Sequence, residues 1–276
     1  MKRALAICVL LIIGSHSVFG QEPEDIIIGK SFKIYSEILN EERTCLISLP
    51  DSYDETAINQ KYPVMILLDG YTHFKTAAGI THFMSSARNR NNMIPEMIIV
   101  AIENIDRERD FTITKIKTVR PNTMGGGHRF LDFMEQELIP YIDSNYPTDS
   151  FKMLTGHSLG GILTVNAYKD EQRAFDAFLA IDPSIWWDES LMIAKVDSIS
   201  PVSFDKRLYI ATANQGEQNY ERNKKKHDTL FEMMKQRSKG SFQTKLQYFD
   251  NEDHRSVPLI AIYEGLKFIF EETNED

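Results

Sequence analysis

The segment Leu154-Thr155-Gly156-His157-Ser158-Leu159-Gly160-Gly161 constrains the fold more than any other part of the chain. It sets a Gly-x-Ser-x-Gly element between an apolar run, Phe151 to Leu154, and a helix-like run, Ile162 to Tyr168. A strand that turns sharply into a helix holds such a serine at the apex, with its Oγ above the sheet. Gly156 and Gly160 then stand where side chains would collide with the turn or the neighbouring strand. Ser158 is therefore the expected nucleophile.

The rest of the chain agrees with a sheet beneath that turn. Runs rich in β-branched and apolar residues predict strands at Phe32–Ser36, Cys45–Leu49, Val64–Leu68, Ile98–Ile102, Lys152–Thr155, Ala177–Ile181, Leu208–Ala211 and Thr244–Phe249. The central ones are apolar throughout, as parallel strands buried on both faces must be. Amphipathic stretches predict helices at Ala77–Arg88, Arg129–Asn145, Gly160–Asp170, Tyr220–Lys239 and Val257–Glu272. In the second, Phe130, Phe133, Met134, Leu138 and Ile142 form one apolar stripe at helical spacing. The fold class is α/β: a mostly parallel sheet with helices on both faces and an antiparallel pair of strands at its N-terminal edge. Ligands of such sheets bind beyond the carboxyl ends of the strands, so the loops after Leu68, Ile102, Thr155, Ile181, Ala211 and Phe249 should carry the chemistry.

Residues 1–20 read as a secretory signal peptide. Lys2 and Arg3 precede the apolar Leu5–Ile13, and Ser17-Val18-Phe19-Gly20 offers small residues for cleavage. The expected mature product is one domain, residues 21–276, exported to the periplasm or beyond and not inserted in a membrane. Losing the leader removes Cys8, so Cys45, in an apparent strand, is left without a disulfide partner. It also removes two of the 31 Lys and Arg, leaving 29 against 40 Asp and Glu, a formal −11. Nucleic acid and anionic membrane surfaces are poor partners for such a chain. The basic run Arg222 to Lys226 and His227 fit a solvated helix face.

A serine at its ordinary pKa needs a base, and the base needs an acid to orient it. The chain order Ser, acid, His selects His254, in the loop after the last strand, among the seven histidines. Glu217 is the first carboxylate beyond Leu208–Ala211 and is the expected acid, with Glu221, Asp253 or a bare Ser–His dyad as alternatives. Donors for a tetrahedral oxyanion should be the backbone N–H of Leu159 and of Tyr71, where Gly70 lets the chain turn inward. Gly70, His73, His157, Trp186, Trp187 and Arg109 are expected to line the pocket, Arg109 being equally suited to a structural ion pair with Asp110. His73, His82 and His128 lack metal-ligand spacing, so neither metal nor cofactor is expected. Residues 105–127, long and polar, are candidates for a moving lid, with Arg107, Arg109 and Arg120 facing an anionic substrate.

With these positions assembled, the sequence resembles the esterase D / enterochelin-esterase-like family of α/β-hydrolases over residues 30–272. The matching stretches are Leu67-Leu68-Asp69-Gly70, Arg107 to Thr112, Gly125-Gly126-Gly127 leading into Phe130 to Phe133, and Glu137 to Ile142. Gly156 to Gly161, Pro183-Ser184-Ile185-Trp186-Trp187, Glu252-Asp253-His254 and Ser256-Val257-Pro258 complete the set. The resemblance implies an α/β-hydrolase fold and a serine esterase with an acyl-serine intermediate, acting on a small-molecule or polysaccharide-linked ester. A siderophore lactone hydrolase is the alternative, and a catalytically silent binding module the reading from another class. Asp182 departs from the family, which more often has Ser before Pro-Ser-x-Trp-Trp. The expectation is that it alters pocket polarity without touching the catalytic residues.

Overall fold

The computed structural model describes residues 25–56, 60–86, 90–117, 123–170, 174–198 and 202–271. The expected leader and Arg120 lie outside them. Eight strands form one sheet: β1 (Lys30–Ser36), β2 (Glu41–Ser48), β3 (Tyr62–Leu67), β4 (Ile98–Ile102), β5 (Thr148–His157), β6 (Ala177–Ile181), β7 (Val202–Ala213) and β8 (Ser238–Phe249). Their spatial order is β1-β2-β4-β3-β5-β6-β7-β8. The β1–β2 and β2–β4 pairs are antiparallel and the rest parallel, which makes this an α/β-hydrolase fold.

Burial explains the patterning. Every residue of β3, β4 and β6 is buried, whereas β2, near the edge, alternates, with Arg43, Cys45 and Ile47 turned inward. Along β3 the two-residue period divides the core between the faces. Val64 and Ile66 pack on one side with α3 (Gly127–Phe133), α5 (Leu159–Lys169), α6 (Trp187–Ser198) and α7 (Lys224–Arg237). Met65 and Leu67 pack on the other with α1 (Gly70–Ser85) and α8 (Val257–Phe270). Cys45 is fully buried in this core, and burial pushes its thiol up to about 12.

Three departures from the expected elements have physical reasons. The predicted helix over Arg129–Asn145 is α3, a widened π turn at Met134–Leu138, and α4 (Ile139–Asn145). Pro140, with no N–H to donate, sits just beyond the widened turn. Helix α1 begins at Gly70, seven positions before the expected Ala77, because Asp69 takes a left-handed conformation (φ 54°) and turns the chain directly into it. The long segment after β4 also contains a short helix, α2 (Arg107–Phe111). Its flanks are pinned by hydrogen bonds from Gly126 N to the Arg109 carbonyl and from Gly127 N to the Thr112 carbonyl, each 2.9 Å.

Candidate active site

β5 ends at His157, and Ser158 makes the turn into α5 with φ 59° and ψ −114°, a strained combination for a residue with a Cβ. The crowding expected at Gly156 is present: a Cβ there would lie 2.3 Å from the Gly160 carbonyl oxygen. At Gly160 the space is easier, with Leu68 atoms at 3.4 Å, so the tighter approach falls one residue on, where a Gly161 Cβ would meet the Ile181 carbonyl at 3.0 Å. Hydrogen bonds from Ser158 N to the Ile181 carbonyl (2.9 Å) and from Ser184 N to the Ser158 carbonyl (3.0 Å) hold the turn against the end of β6.

Ser158 and His254 come together, with 3.1 Å between Oγ and Nε2. The carboxylate that reaches His254 is not the expected one. Asp182, the residue immediately after β6, places Oδ2 2.6 Å from His254 Nδ1. Glu217 is exposed, on the 3-10 turn Glu217–Asn219. Glu221 pairs with Lys225 on the surface, and the Asp253 carboxylate accepts from the Arg255 and Ser256 amides at the start of α8. The family departure noted at Asp182 therefore sits on the histidine, contrary to the expectation that it touches no member of the set.

Asp182 is 1 % exposed, and its oxygens are surrounded by donors. Oδ1 accepts from Ala213 N (3.0 Å) and Asn223 Nδ2 (2.9 Å), and Oδ2 accepts from Gln215 Nε2 (2.6 Å) as well as from His254. Burial alone would raise this carboxyl, but hydrogen bonds from His254, Asn223 and the Ala213 amide outweigh it and hold it at about 2. An ionised Asp182 accepts a hydrogen bond from Nδ1–H, which keeps the proton on that nitrogen and leaves the Nε2 lone pair facing the serine.

His227 is fully buried rather than solvated. Its Nε2–H donates to the Pro183 carbonyl at 2.7 Å, and its Nδ1 accepts from Thr212 Oγ1 at 2.8 Å. Burial lowers its pKa, so it braces the Asp182–Pro183 corner as a neutral ring.

Three imidazoles lie in sequence: His254 and His157 centroids are 4.5 Å apart, and His73 meets His157 edge-on at 5.5 Å. Burial, reinforced by His254 and His73, pushes His157 down to about 3, and burial lowers His73 as well. Both rings are neutral beside His254. Tyr71 N and Leu159 N belong to the first turns of α1 and α5, where amides lack intrahelical acceptors. The Tyr71 side chain itself is 88 % exposed. Gly70 is buried, and a Cβ on it would lie 2.9 Å from the Ile102 backbone.

Of the other expected pocket residues, Trp187 is buried, among residues that include Phe111, Ile162 and Met192. Trp186 keeps an accessible face, and the Arg222 guanidinium stacks on its ring at 3.8 Å. Arg109 is bound in a network instead: it pairs with Asp110 (2.7 Å) and Glu41 (2.6 Å), and both carboxylates also pair with the fully buried Arg43. His128 is exposed on α3, and His82 lies 3.4 Å from Asp51. Among the described residues, no group of three or more His, Cys, Asp and Glu is placed to hold a metal ion.

A family model described as "Putative esterase" matches residues 36–257. Ferri-bacillibactin esterase BesA of Bacillus subtilis (strain 168) is 26 % identical over 252 residues, which is 83 % of this chain and 86 % of that protein. Siderophore triacetylfusarinine C esterase of Aspergillus fumigatus is 32 % identical over 142 residues, 46 % of this chain and 45 % of the relative. Among solved structures, an IroE-like serine hydrolase from Shewanella oneidensis superposes with a TM-score of 0.76 at 30 % identity, covering 90 % of this chain and 82 % of that one.

Proposed function

The chain belongs to the esterase family described as "Putative esterase" and is a carboxylic-ester hydrolase; from that premise we propose that it works through an acyl-serine intermediate on Ser158. The observation that carries this reading is His254 standing between two partners, Ser158 Oγ at 3.1 Å and Asp182 Oδ2 at 2.6 Å. His254 Nε2 takes the hydroxyl proton as Oγ attacks the ester carbonyl. The amides of Tyr71 and Leu159 receive the negative charge on the carbonyl oxygen. As the C–O bond breaks, the imidazolium returns its proton to the leaving alkoxide. Water, deprotonated by the same ring, then releases the acid and restores the serine. Asp182 holds the Nδ1–H and balances the transient imidazolium charge, the role expected of Glu217 from the sequence.

The substrate class favoured is a siderophore ester or lactone, because two relatives carry siderophore esterase names. Feruloyl, acetyl and other small-molecule or polysaccharide-linked esters form the second reading, which rests on the family's chemistry alone. We also read residues 1–20 as a cleaved leader and 21–276 as one exported esterase domain. Among the described residues, no helix is long and apolar enough to cross a membrane. Turnover of an enterobactin-type trilactone, feruloyl and acetyl esters and a short p-nitrophenyl ester, measured side by side, tests the substrate class. The siderophore reading expects kcat/KM on the trilactone to exceed the feruloyl and acetyl values by about a hundredfold, since pocket contacts separate substrates by that order. A preference for either acyl ester would reject it in favour of the second reading.

A further inference from the structure

β7 ends at Ala213, and the loop that follows is laid against the loop that carries His254. Asn214 makes the seam: its N–H donates to the Glu252 carbonyl at 2.8 Å and its Nδ2 to the Asp250 carbonyl at 2.9 Å. Its Oδ1 accepts from Gly216 N at 3.0 Å. Gly216 has φ 82° and ψ 160°, a conformation open in practice to glycine alone, so the turn after position 215 needs that residue. Asn219 Nδ2 closes the loop by donating to the Gln215 carbonyl at 2.9 Å. Gln215 is thereby fixed beside the histidine, with its Nε2 2.6 Å from Asp182 Oδ2 and 3.3 Å from His254 Nδ1.

The carboxylate settles which end of the amide faces it. An amide oxygen 2.6 Å from Asp182 Oδ2 would be repelled, so the NH2 end of Gln215 is the one that meets it. That oxygen then receives two donors, one from the loop after β7 and one from the loop after β8. With its proton directed at Oδ2, Nδ1 has no lone pair to offer, so the Gln215 amide touches the ring without bonding to it. Position 215 therefore has the reach of an orienting acid and lacks only the charge. The chain order Ser, acid, His is satisfied at either strand end, since Asp182 directly follows β6 and Gln215 lies two residues beyond β7. Glutamate has the length of glutamine. A carboxylate oxygen at the Nε2 position would start 3.3 Å from Nδ1, a separation that a charge-assisted bond shortens.

We propose that the end of β7 is a second station for the acid that orients His254. In this chain Gln215 occupies it as a positioning residue: its amide donates to Asp182 Oδ2, holds that oxygen on Nδ1 and tempers the charge that the imidazolium meets. This rests on the acyl-serine reading of Ser158 and His254 given above.

Gln215→Met, Asp182→Asn, Asp182→Asn/Gln215→Glu and Ser158→Ala test it on a p-nitrophenyl ester. Methionine keeps the length of the side chain and cannot donate. Without that donor Asp182 keeps more of its charge for the imidazolium, so the acid limb of the pH–rate profile should move up by about 0.5–1 pH unit, the worth of one hydrogen bond. On the plateau kcat should fall about three- to tenfold, with KM within about twofold. Asp182→Asn should remove about 10³–10⁴ of kcat, and adding Gln215→Glu should return about ten- to a hundredfold of that loss, because both positions serve one proton. If this double variant does not fold, Asp182→Ser/Gln215→Glu gives the same readout against Asp182→Ser. A double variant no faster than its Asp182 single variant would overturn the second station. An acid limb that stays in place or moves down in Gln215→Met would overturn the positioning role, since a mere loss of packing does not strengthen an imidazolium. Turnover surviving in Ser158→Ala removes the acyl-serine reading, whereas a silent Ser158→Ala beside an unrescued double variant removes only the second station.

Discussion

Asp182 accepts hydrogen bonds from Ala213 N, Asn223, Gln215 and His254 while almost wholly removed from solvent. A carboxylate so enclosed and so fully bonded is a fixed negative charge, which is what a base needs behind it. Asp182→Asn should therefore lower kcat by about 10³–10⁴, as loss of a triad acid does, because the amide favours the wrong imidazole tautomer. Glu217→Gln should leave kcat within about twofold, its carboxylate being exposed and away from the histidine. Steady-state kinetics on the two variants decides between them. The approach of Ser158 to His254 was legible because each combines a motif or chain order with a strand end. The contact of Asp182 with His254 is not legible from chain order, because the first carboxylates after β6 and after β7 both lie at carboxyl ends of parallel strands. The signal that would have found it was the departure at Asp182 itself, a charged residue directly following an apolar strand. His227 was misread for a related reason: its lysine neighbours suggested a wet helix face, but its own position on α7 points at the sheet.

At the scale of elements, the strands were legible because burial on both faces leaves a plain apolar run, as in β3, β4 and β6. The short helix α2 was not, because five residues, Arg107 to Phe111, are too few to show a period. What fixes α2 is charge. Arg43 on β2 and Asp110 on α2 are 0 % and 1 % exposed and pair at 2.8 Å, with Glu41 and Arg109 completing the set. Sequence spacing cannot reveal a contact between positions 43 and 110. Arg43→Met should destabilise the fold by about 3–5 kcal/mol, the cost of leaving a buried charge without its partner, as read by urea denaturation. A loss below about 1 kcal/mol would mean that Arg109 alone satisfies Asp110.

Across the whole molecule, the histidines couple stability to pH. His73, His157 and His227 are held below their ordinary range by burial, His157 at about 3. Unfolded, the same side chains would take up protons near pH 6.5. Their folded pKa values are depressed, so stability is fully present above about pH 6.5 and declines as pH falls below it, the unfolded state binding more protons. Asp182, held at about 2, adds a loss that begins only below about pH 4. The melting temperature should fall steadily from pH 7.5 to 5, ahead of any carboxylate titration; a flat or rising profile over that interval would contradict the buried neutral state of the three rings.

In the mechanism proposed here, the strained turn after β5 presents Ser158 as the nucleophile, with His254 drawing off its proton. Intact-protein mass spectrometry after treatment with a fluorophosphonate, followed by peptide mapping, addresses this directly. The expected result is one adduct per chain, on the peptide containing Gly156-His157-Ser158-Leu159-Gly160, lost in Ser158→Ala and strongly slowed in His254→Ala. An adduct on another serine, or labelling that proceeds at the wild-type rate without His254, would contradict it.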